Sequence, residues 1–408
     1  MIPLIEKKRK WKYFNNKNIQ IWHIGNIEIN PLKKFLDRTV INKNLVNEVT
    51  LKKEISKFKG NFALICLINK GKSFAFVDRI KSYPVYVGKT KNGISFSNHA
   101  PCLLKKLKKK KYNSGSILSI RMSGYSIGRD TLYSEIIQLL PGEFCILDKK
   151  EIIFKSYHTF IKKERSHNFS INSLSNKLTN LTLSILKKIK EKYIDTTIVV
   201  PLSAGYDSRL IASGLKYLDT KNVLCFSYGR ANNFEAKVAK NIANKIGYDW
   251  FFVELGGKKQ KANFNSVNYA KYKSYSETLS SWSYVQDFFA VEELIKNGII
   301  DKKFVIINGN TGDFISGGHL PKLKSLKKES LGNKLEEILQ YTIEKHFALW
   351  ENYFSEESLK EIKKLIVSSI PKEILDISQG QEHKIYEYIE FINRQSNYVI
   401  QGNSQKDK

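Results

Sequence analysis

The chain has little of what staples a small fold or anchors a protein in a membrane. Its four cysteines in 408 residues, Cys66, Cys102, Cys145 and Cys225, form no Cys-x-x-Cys pair and have no histidine partners at zinc-binding spacing. They read as reduced, mostly buried thiols. No apolar run approaches the length needed to cross a bilayer, and the opening "MIPLIEKKRKWKYF" carries charge where a signal peptide needs its apolar stretch. The cytoplasm is the simplest location, with no membrane span. Acidic residues are also scarce, 39 Asp and Glu against 68 Lys and Arg, for a net charge of +29. Such an excess favours anionic partners. Here the lysines recur throughout, alongside many Asn and Ile, a pattern that A+T-rich coding produces without selection for binding. The densest run, "KKLKKKK" at Lys105 to Lys111, has no basic amphipathic helix or aromatic interleaving and reads as a solvated connection. Nucleic acid is not the expected partner. There is no internal repeat and no low-complexity segment beyond the lysine bias.

What is present is ample apolar material, 42% hydrophobic and 12% aromatic residues, in a chain long enough for two domains. From about Ile19 to Phe160 short apolar or alternating segments ("NFALICLI", "SFAFVD", "YPVYVG", "GISFS", "SILSIRM", "EFCILD") are separated by turn residues, which predicts a mainly antiparallel sheet structure. After "IKKERSHNFS" the rhythm changes. The stretch "INSLSNKLTNLTLSILKKIKEKY" has helical spacing. The strand "TTIVVPL", a helix from about Asp207 to Leu218, the strand "NVLCFSY", the helix "FEAKVAKNIANKIG" and the strand "WFFVEL" follow. Such alternation predicts a parallel sheet with helices on both faces. The expected domains are 1–165 and 166–408, the last third being largely helical apart from the strand "KFVIING".

The turn "IVVPLSAGYDSRLIA" at 198–212 concentrates the chemistry. A buried parallel strand ending in Ser203-Ala204-Gly205-Tyr206-Asp207-Ser208, with a helix starting near Asp207, aims main-chain N–H groups beyond the strand's carboxyl end. Small residues admit a phosphate, the helix N-terminus adds partial positive charge, and Ser203 and Ser208 can donate hydroxyl hydrogen bonds. Asp207 would repel phosphate unless a divalent cation intervenes, which points to magnesium. The alternative is that Ser203 or Asp207 merely caps the helix and Gly205 permits the turn. Taken alone, the turn leaves both readings open.

"PLSAGYDSRLIA" resembles the pyrophosphate-loop signature of the asparagine synthetase family, Ser-Gly-Gly-x-Asp-Ser, with Ala204 in place of the first glycine, and it lacks the Gly-Lys-Ser/Thr ending of a Walker loop. "CFSYGRANNFEAKVAKNIANKIGYDW" looks like the family's second strand and helix, with Glu235 at a recurring acidic position. "INGNTGDFISGGHLP" resembles its Ser-Gly-Glu-Gly-x-Asp-Glu-Leu-Phe-Gly-Gly-Tyr segment. In the first half, "GNFALICLINKGKSFAFVDRIKSYPVYVG" and "GRDTLYSEIIQLLPGEFCILD" are similar to parts of its glutaminase domain.

The resemblance implies a β-rich sandwich of the N-terminal-nucleophile glutaminase type, followed by a doubly wound parallel-sheet ATP pyrophosphatase domain with added helices. It assigns Leu202, Ser203, Ala204, Gly205, Tyr206, Asp207 and Ser208 to the phosphates of ATP. Ser227, Tyr228 and Gly229 would border adenine, Asn308 and Gly309 would lie near the nucleotide, and Asp207 and Asp313 would hold Mg²⁺ and serve catalysis. The implied reaction activates a small-molecule carboxylate as an acyl-adenylate, releasing pyrophosphate, before ammonia or another amine displaces AMP.

Several departures accompany the likeness. Residue two is Ile2 where the glutaminase has its cysteine, so glutaminase activity is not expected, and ammonia would come from solution or another subunit. Asn310 and Phe314 replace acidic residues, so aspartate need not be the carboxylate. "NRQSNYVIQGNSQKDK" ends before the family's later lysine, so either another lysine substitutes or catalysis is weakened. His319 borders either the acceptor or the core, and Arg209 and Arg394 are either phosphate contacts or ion-pair residues. An amide-forming ligase is therefore weighed against a non-catalytic nucleotide- or partner-binding protein of the same fold, with oligomeric state open and a homodimer among the options.

Overall fold

The apolar runs of the first third become strands covered on both faces. The computed structural model describes residues 3–15, 18–25, 46–69, 71–148, 151–161, 170–285, 287–301, 303–320, 331–350, 355–376 and 383–404. Among the described residues the first nine strands are β1 (Lys12–Asn15), β2 (Ile19–Gly25), β3 (Phe62–Ile68), β4 (Ser73–Val77), β5 (Tyr86–Thr90), β6 (Gly93–Ser97), β7 (Ile136–Gln138), β8 (Glu143–Asp148) and β9 (Glu151–Ser156). They form two antiparallel sheets, in the orders β1-β2-β3-β4-β8-β9 and β6-β5-β7. Side chains alternate across a strand. Ala63, Ile65, Ala75 and Val77 therefore pack with Val87 and Phe96 of the smaller sheet and with Val85 and Leu139, which flank its strands. On the opposite face Phe62, Leu64, Phe74, Phe76 and Phe144 pack with Leu51 and Ile55 of the helix Glu48–Ile55. Each fully buried phenylalanine there contributes roughly 1.5–3 kcal/mol of apolar transfer free energy. This double coverage explains why β3 and β4 read as continuous apolar runs.

One expected strand is a helix. "SILSIRM" lies in the helix Ser114–Ser123, started by Asn113, whose side chain accepts from the Ser116 N–H, and stopped by Gly124 at φ 89°. Ser116, Ser119, Ile120 and Met122 are its buried residues; Leu118, Ile120 and Met122 alternate while Ile117 and Ile120 are three apart, so a run this short fits either period. Lys105–Lys111 is, as read, a mostly exposed connection, in which Leu107 alone turns inward.

The compact units do not follow a single cut near residue 165. One comprises Met1–Lys162, Lys273–Tyr284 and Leu320–Lys408, the other Lys163–Tyr272 and Val285–His319. The C-terminal helices Leu331–His346, Glu356–Ser368 and His383–Glu390 belong to the first unit, the last continuing through a π-helical segment, Phe391–Ile400. Polar bonds tie this region to the stretch before β7 and to β5. Asn397 Nδ2 donates to the carbonyls of Ser126 and Gly128 at 3.1 Å each, the Gly128 N–H donates to Asn393 Oδ1 at 2.8 Å, and Gln401 Nε2 donates to the Tyr86 hydroxyl at 2.7 Å.

The second unit holds β10 (Thr197–Pro201), β11 (Val223–Gly229), β12 (Asp249–Glu254) and β13 (Phe304–Ile306), all parallel, in the order β12-β11-β10-β13. Ile198 and Val200 pack on one side with Leu186, Ala212, Leu215, Ala239 and Ala243. Val199, Leu224 and Phe226 pack on the other with Phe289, Ala290 and Leu294. Helices thus cover both faces, as the strand–helix alternation predicts. The chain runs from β10 outward through β11 and β12, then returns to β13 on the far side of β10. That reversal opens a crevice beyond the carboxyl ends of β10 and β13, the usual ligand position in such sheets. Among the described residues no helix is long and apolar enough to cross a membrane.

Candidate functional site

Two loops meet at this crevice, one following β10 and one following β13. After Pro201 the chain turns through Leu202–Gly205 into the helix Tyr206–Tyr217, whose buried residues Ser208, Ala212 and Leu215 recur at helical spacing. Neither Ser203 nor Asp207 caps that helix. The N-cap is Gly205, which supplies no side-chain bond, while Ser203 Oγ accepts from the Gly205 N–H at 3.1 Å and Ser208 Oγ accepts from the Ser203 N–H at 3.1 Å. The first-turn amides of the helix therefore end at the crevice without a side-chain cap. Leu202 is fixed from β11, its N–H donating to the Phe226 carbonyl at 2.8 Å and its carbonyl accepting from Ser227 Oγ at 2.7 Å.

The second loop leans on the first at two glycines. A β-carbon at Gly309 would sit 2.6 Å from the Ser208 nitrogen and 2.8 Å from the Asp207 carbonyl carbon, and one at Gly312 would overlap the Asp207 carboxylate. Thr311 begins the short helix Gly312–Ser316 at φ 76°, a conformation rare for a β-branched residue and one that surrounding structure must hold. This packing brings Asp313 to Asp207. The Asp207 carboxyl is shifted upward by burial and by the negative charge of Asp313, against a hydrogen bond from the Asp313 backbone. A like-charged pair of this kind is relieved by a cation. Oxygen-only donors on two carboxylates fit Mg²⁺, which takes few protein oxygens and completes its shell with phosphate and water.

Between the loops lies a cavity of about 340 Å³. Of the residues assigned to the nucleotide, Leu202, Ser203, Gly205, Asp207 and Ser208 line it from the first loop. Ser227 and Tyr228 line it from β11, and Asn308 and Gly309 from the second loop. Ala204, Tyr206, Gly229 and Asp313 are not in its lining. Tyr206 is 82% exposed. The Arg209 guanidinium lies 5.0 Å from the Tyr206 ring centroid and donates to the Ala204 carbonyl at 3.0 Å, so it braces the loop. Arg394 pairs with Glu390 at 3.0 Å in the first unit. His319 is buried, its ring 4.6 Å from that of Phe314 and its Nδ1 3.2 Å from the Asp313 carbonyl.

No protein-family model matches the chain, and no curated protein does. Among solved structures, similarity is found to an NH3-dependent NAD synthetase from Campylobacter jejuni in complex with a nitrate ion, at TM-score 0.26 and 12% identity, over 48% of this chain and 97% of that one. A predicted subunit of tRNA methyltransferase from Methanocaldococcus jannaschii matches at TM-score 0.19 and 17% identity, over 41% of this chain and 74% of that one. At such scores neither likeness says what this chain does.

The cavity also has walls that sequence reading missed. Asn233, which starts the helix Phe234–Ile246 by accepting from the Ala236 N–H at 2.7 Å, lines it beside the anticipated Glu235. The signal was there, an asparagine before a helical run. Asp287, buried at the start of the helix Phe288–Lys296, is a further carboxylate on the wall. Its placement depends on a long-range return of the chain that no local pattern announces. One expectation needs correction: Cys102 does have a histidine at metal-binding spacing, since His99 Nδ1 lies 3.7 Å from its Sγ across one helical turn.

Proposed function

We propose that the chain is an ATP-dependent amide-forming ligase of the asparagine synthetase type. The observation that carries this reading is the Asp207–Asp313 pair, held beside an uncapped helix N-terminus at the switch point of a parallel sheet. The amides and hydroxyls of Ser203–Ser208 would hold the β,γ-phosphates, and Tyr228 with Ser227 would border the base. Asp207 and Asp313 would hold Mg²⁺, whose charge offsets that of the triphosphate and of the departing pyrophosphate. A substrate carboxylate oxygen attacks the α-phosphorus and pyrophosphate leaves; an amine nitrogen then attacks the activated carbonyl and AMP leaves. Asn308 with Gly309 would lie near the nucleotide, and Asn310, which lines the same cavity, would face the acceptor. We read the two-sheet unit as glutaminase-like in fold. Burial pushes the thiols of Cys66 and Cys145 well above their ordinary range, so neither serves as its nucleophile, and ammonia or an amine is a separate substrate.

The test incubates the protein with ATP, Mg²⁺ and candidate carboxylates, including aspartate and sugar or peptide carboxylates. Carboxylate-dependent pyrophosphate release is expected, reduced at least about 100-fold by Asp207→Asn. Nucleotide binding without turnover for any carboxylate would favour the non-catalytic alternative, and undiminished activity in the variant would overturn the metal role.

A further inference from the structure

The first unit gathers a second set of donor atoms, unrelated to the crevice. Leu4 runs beside the end of β6, its N–H donating to the Phe96 carbonyl at 2.8 Å. The Glu6 N–H donates to Asn98 Oδ1 at 2.8 Å, and Asn98 Nδ2 returns a bond to the Glu6 carbonyl at 3.4 Å. This reciprocal clamp, on an Asn98 that is 1% exposed, sets the Glu6 side chain against His99 and Cys102. His99 precedes the helix Ala100–Leu104 and Cys102 lies one turn on, its N–H donating to the His99 carbonyl at 3.0 Å.

Cys102 Sγ is 3.7 Å from His99 Nδ1 and 4.0 Å from Glu6 Oε2, and the three donor atoms lie within 4.8 Å of one another. In a tetrahedral zinc site, Zn–S and Zn–N/O bond lengths put such donors about 3.6 Å apart. The cluster is thus close to a ligand triangle without rearrangement of the backbone. We propose that Glu6, His99 and Cys102 form a binding site for Zn²⁺ or a similar borderline divalent cation, with the fourth position open to solvent.

One sulfur, one nitrogen and one oxygen donor suit a borderline divalent cation. Burial, reinforced by Arg9 and Lys105, pushes His99 down to about 3, and burial with Glu6 pushes Cys102 up. The neutral ring is the form that ligates. Binding would expel the Cys102 proton to solvent as the Zn–S bond forms, and thiolate plus the Glu6 carboxylate would balance the ion's charge. Arg9 is turned to the Tyr275 carbonyl at 2.5 Å and lies 5.2 Å from that ring's centroid, but its charge and that of Lys105 still oppose a cation and limit the affinity. Glu6 and Cys102 are only partly buried, so the site can be reached.

The full chain, stripped of metal by a chelator, is titrated with Co²⁺ alone. One equivalent is expected to bind with a near-ultraviolet thiolate-to-cobalt band that added Zn²⁺ erases. Cys102→Ala should remove the band, and Glu6→Gln, which keeps size and fold, should weaken binding at least about 10-fold while leaving the band. Asp207→Asn should leave it unchanged, which separates this site from the proposed magnesium pair. The proposal is overturned if the wild type gives no thiolate band at one equivalent, or if the band survives Cys102→Ala.

Discussion

Gly312 lies so close to Asp207 that a β-carbon on it would overlap the carboxyl carbon and both carboxyl oxygens. What such a methyl meets is the end of a side chain, which can swing aside, so Gly312→Ala should change stability by less than about 1 kcal/mol. The swing would move Asp207 away from Asp313. A displacement of that size in a reacting constellation costs on the order of 100-fold in rate. Gly309→Ala differs because its methyl would meet main chain, 2.6 Å from the Ser208 nitrogen, so it should also destabilise, by about 1–3 kcal/mol. Paired thermal melts and pyrophosphate-release rates distinguish the two variants. Equal activity in Gly312→Ala and wild type would remove Asp207's position from the argument.

The Asp207 carboxyl is raised by burial and by Asp313. A carboxyl raised in the folded state binds more protons there than in the unfolded chain. Stability therefore falls as pH climbs from the ordinary aspartate range through the raised folded value, and the penalty persists at neutral pH. Asp207→Asn removes it. Because the pair is solvent-screened, the expected gain is a few tenths of a kcal/mol, seen as a small rise in melting temperature. Mg²⁺ with a non-hydrolysable ATP analogue should stabilise the wild type and not the variant, and a variant stabilised equally by that mixture would contradict the metal assignment.

How far these features were legible depends on whether local pattern or chain return produced them. The strands β3, β4 and β10–β12, and the helix Ile171–Lys192, follow from period and cap signals such as Ser170, whose Oγ accepts from the Ser173 N–H at 3.1 Å. The loop Leu202–Ser208 was legible as a strand-to-helix turn from its small residues, while the choice between a capped and an open helix N-terminus needed the backbone. Three things were not. Helical Ile117–Met122 read as strand because four apolar residues in a short run satisfy both periods. The return of the C-terminal helices to the first unit rests on buried amides such as Asn393 and Asn397, which composition marks as surface residues. Cys102 and His99 needed Glu6, from more than ninety residues away, before their spacing meant anything.

Glu390 holds that C-terminal region through charge. Burial opposes its ionisation, but the His346 bond and charge, Arg394 at 3.0 Å and Gln395 at 2.9 Å together bring it down to about 2. A carboxyl lowered in the folded state contributes stability that is present above the ordinary glutamate value and is lost as pH falls toward the folded one. The first unit should therefore weaken between about pH 4.5 and pH 2. Glu390→Gln leaves Arg394 without its counter-charge and should cost about 3 kcal/mol at pH 7, with no further loss over that acid window. Urea melts at pH 7 and pH 3.5 measure both effects. A wild type and variant with the same pH slope would rule out this source of acid sensitivity.

Lys81 titrates in the opposite sense. It is completely buried, at φ 56°, and burial lowers it to about 7, Glu143 pulling upward and Arg129 downward. Its Nζ donates to Gln138 Oε1 at 2.9 Å and to Asn397 Oδ1 at 2.5 Å, two acceptors that match the two N–H groups of a neutral amine. The unfolded chain keeps this lysine protonated to about pH 10, so between pH 7 and 10 the unfolded state binds more protons than the folded one. Stability of the first unit should rise across that window, by a few kcal/mol at most. Lys81→Met should flatten the rise. It should also leave Gln138 and Asn397 short of a donor, a loss of about 1–3 kcal/mol that is largest at high pH, where the wild-type amine is neutral and no charge is being buried. Denaturant melts at pH 7 and pH 9.5 separate the two terms, and a variant that keeps the wild-type slope would mean that Lys81 stays charged in the fold and that its two amide partners bind an ammonium.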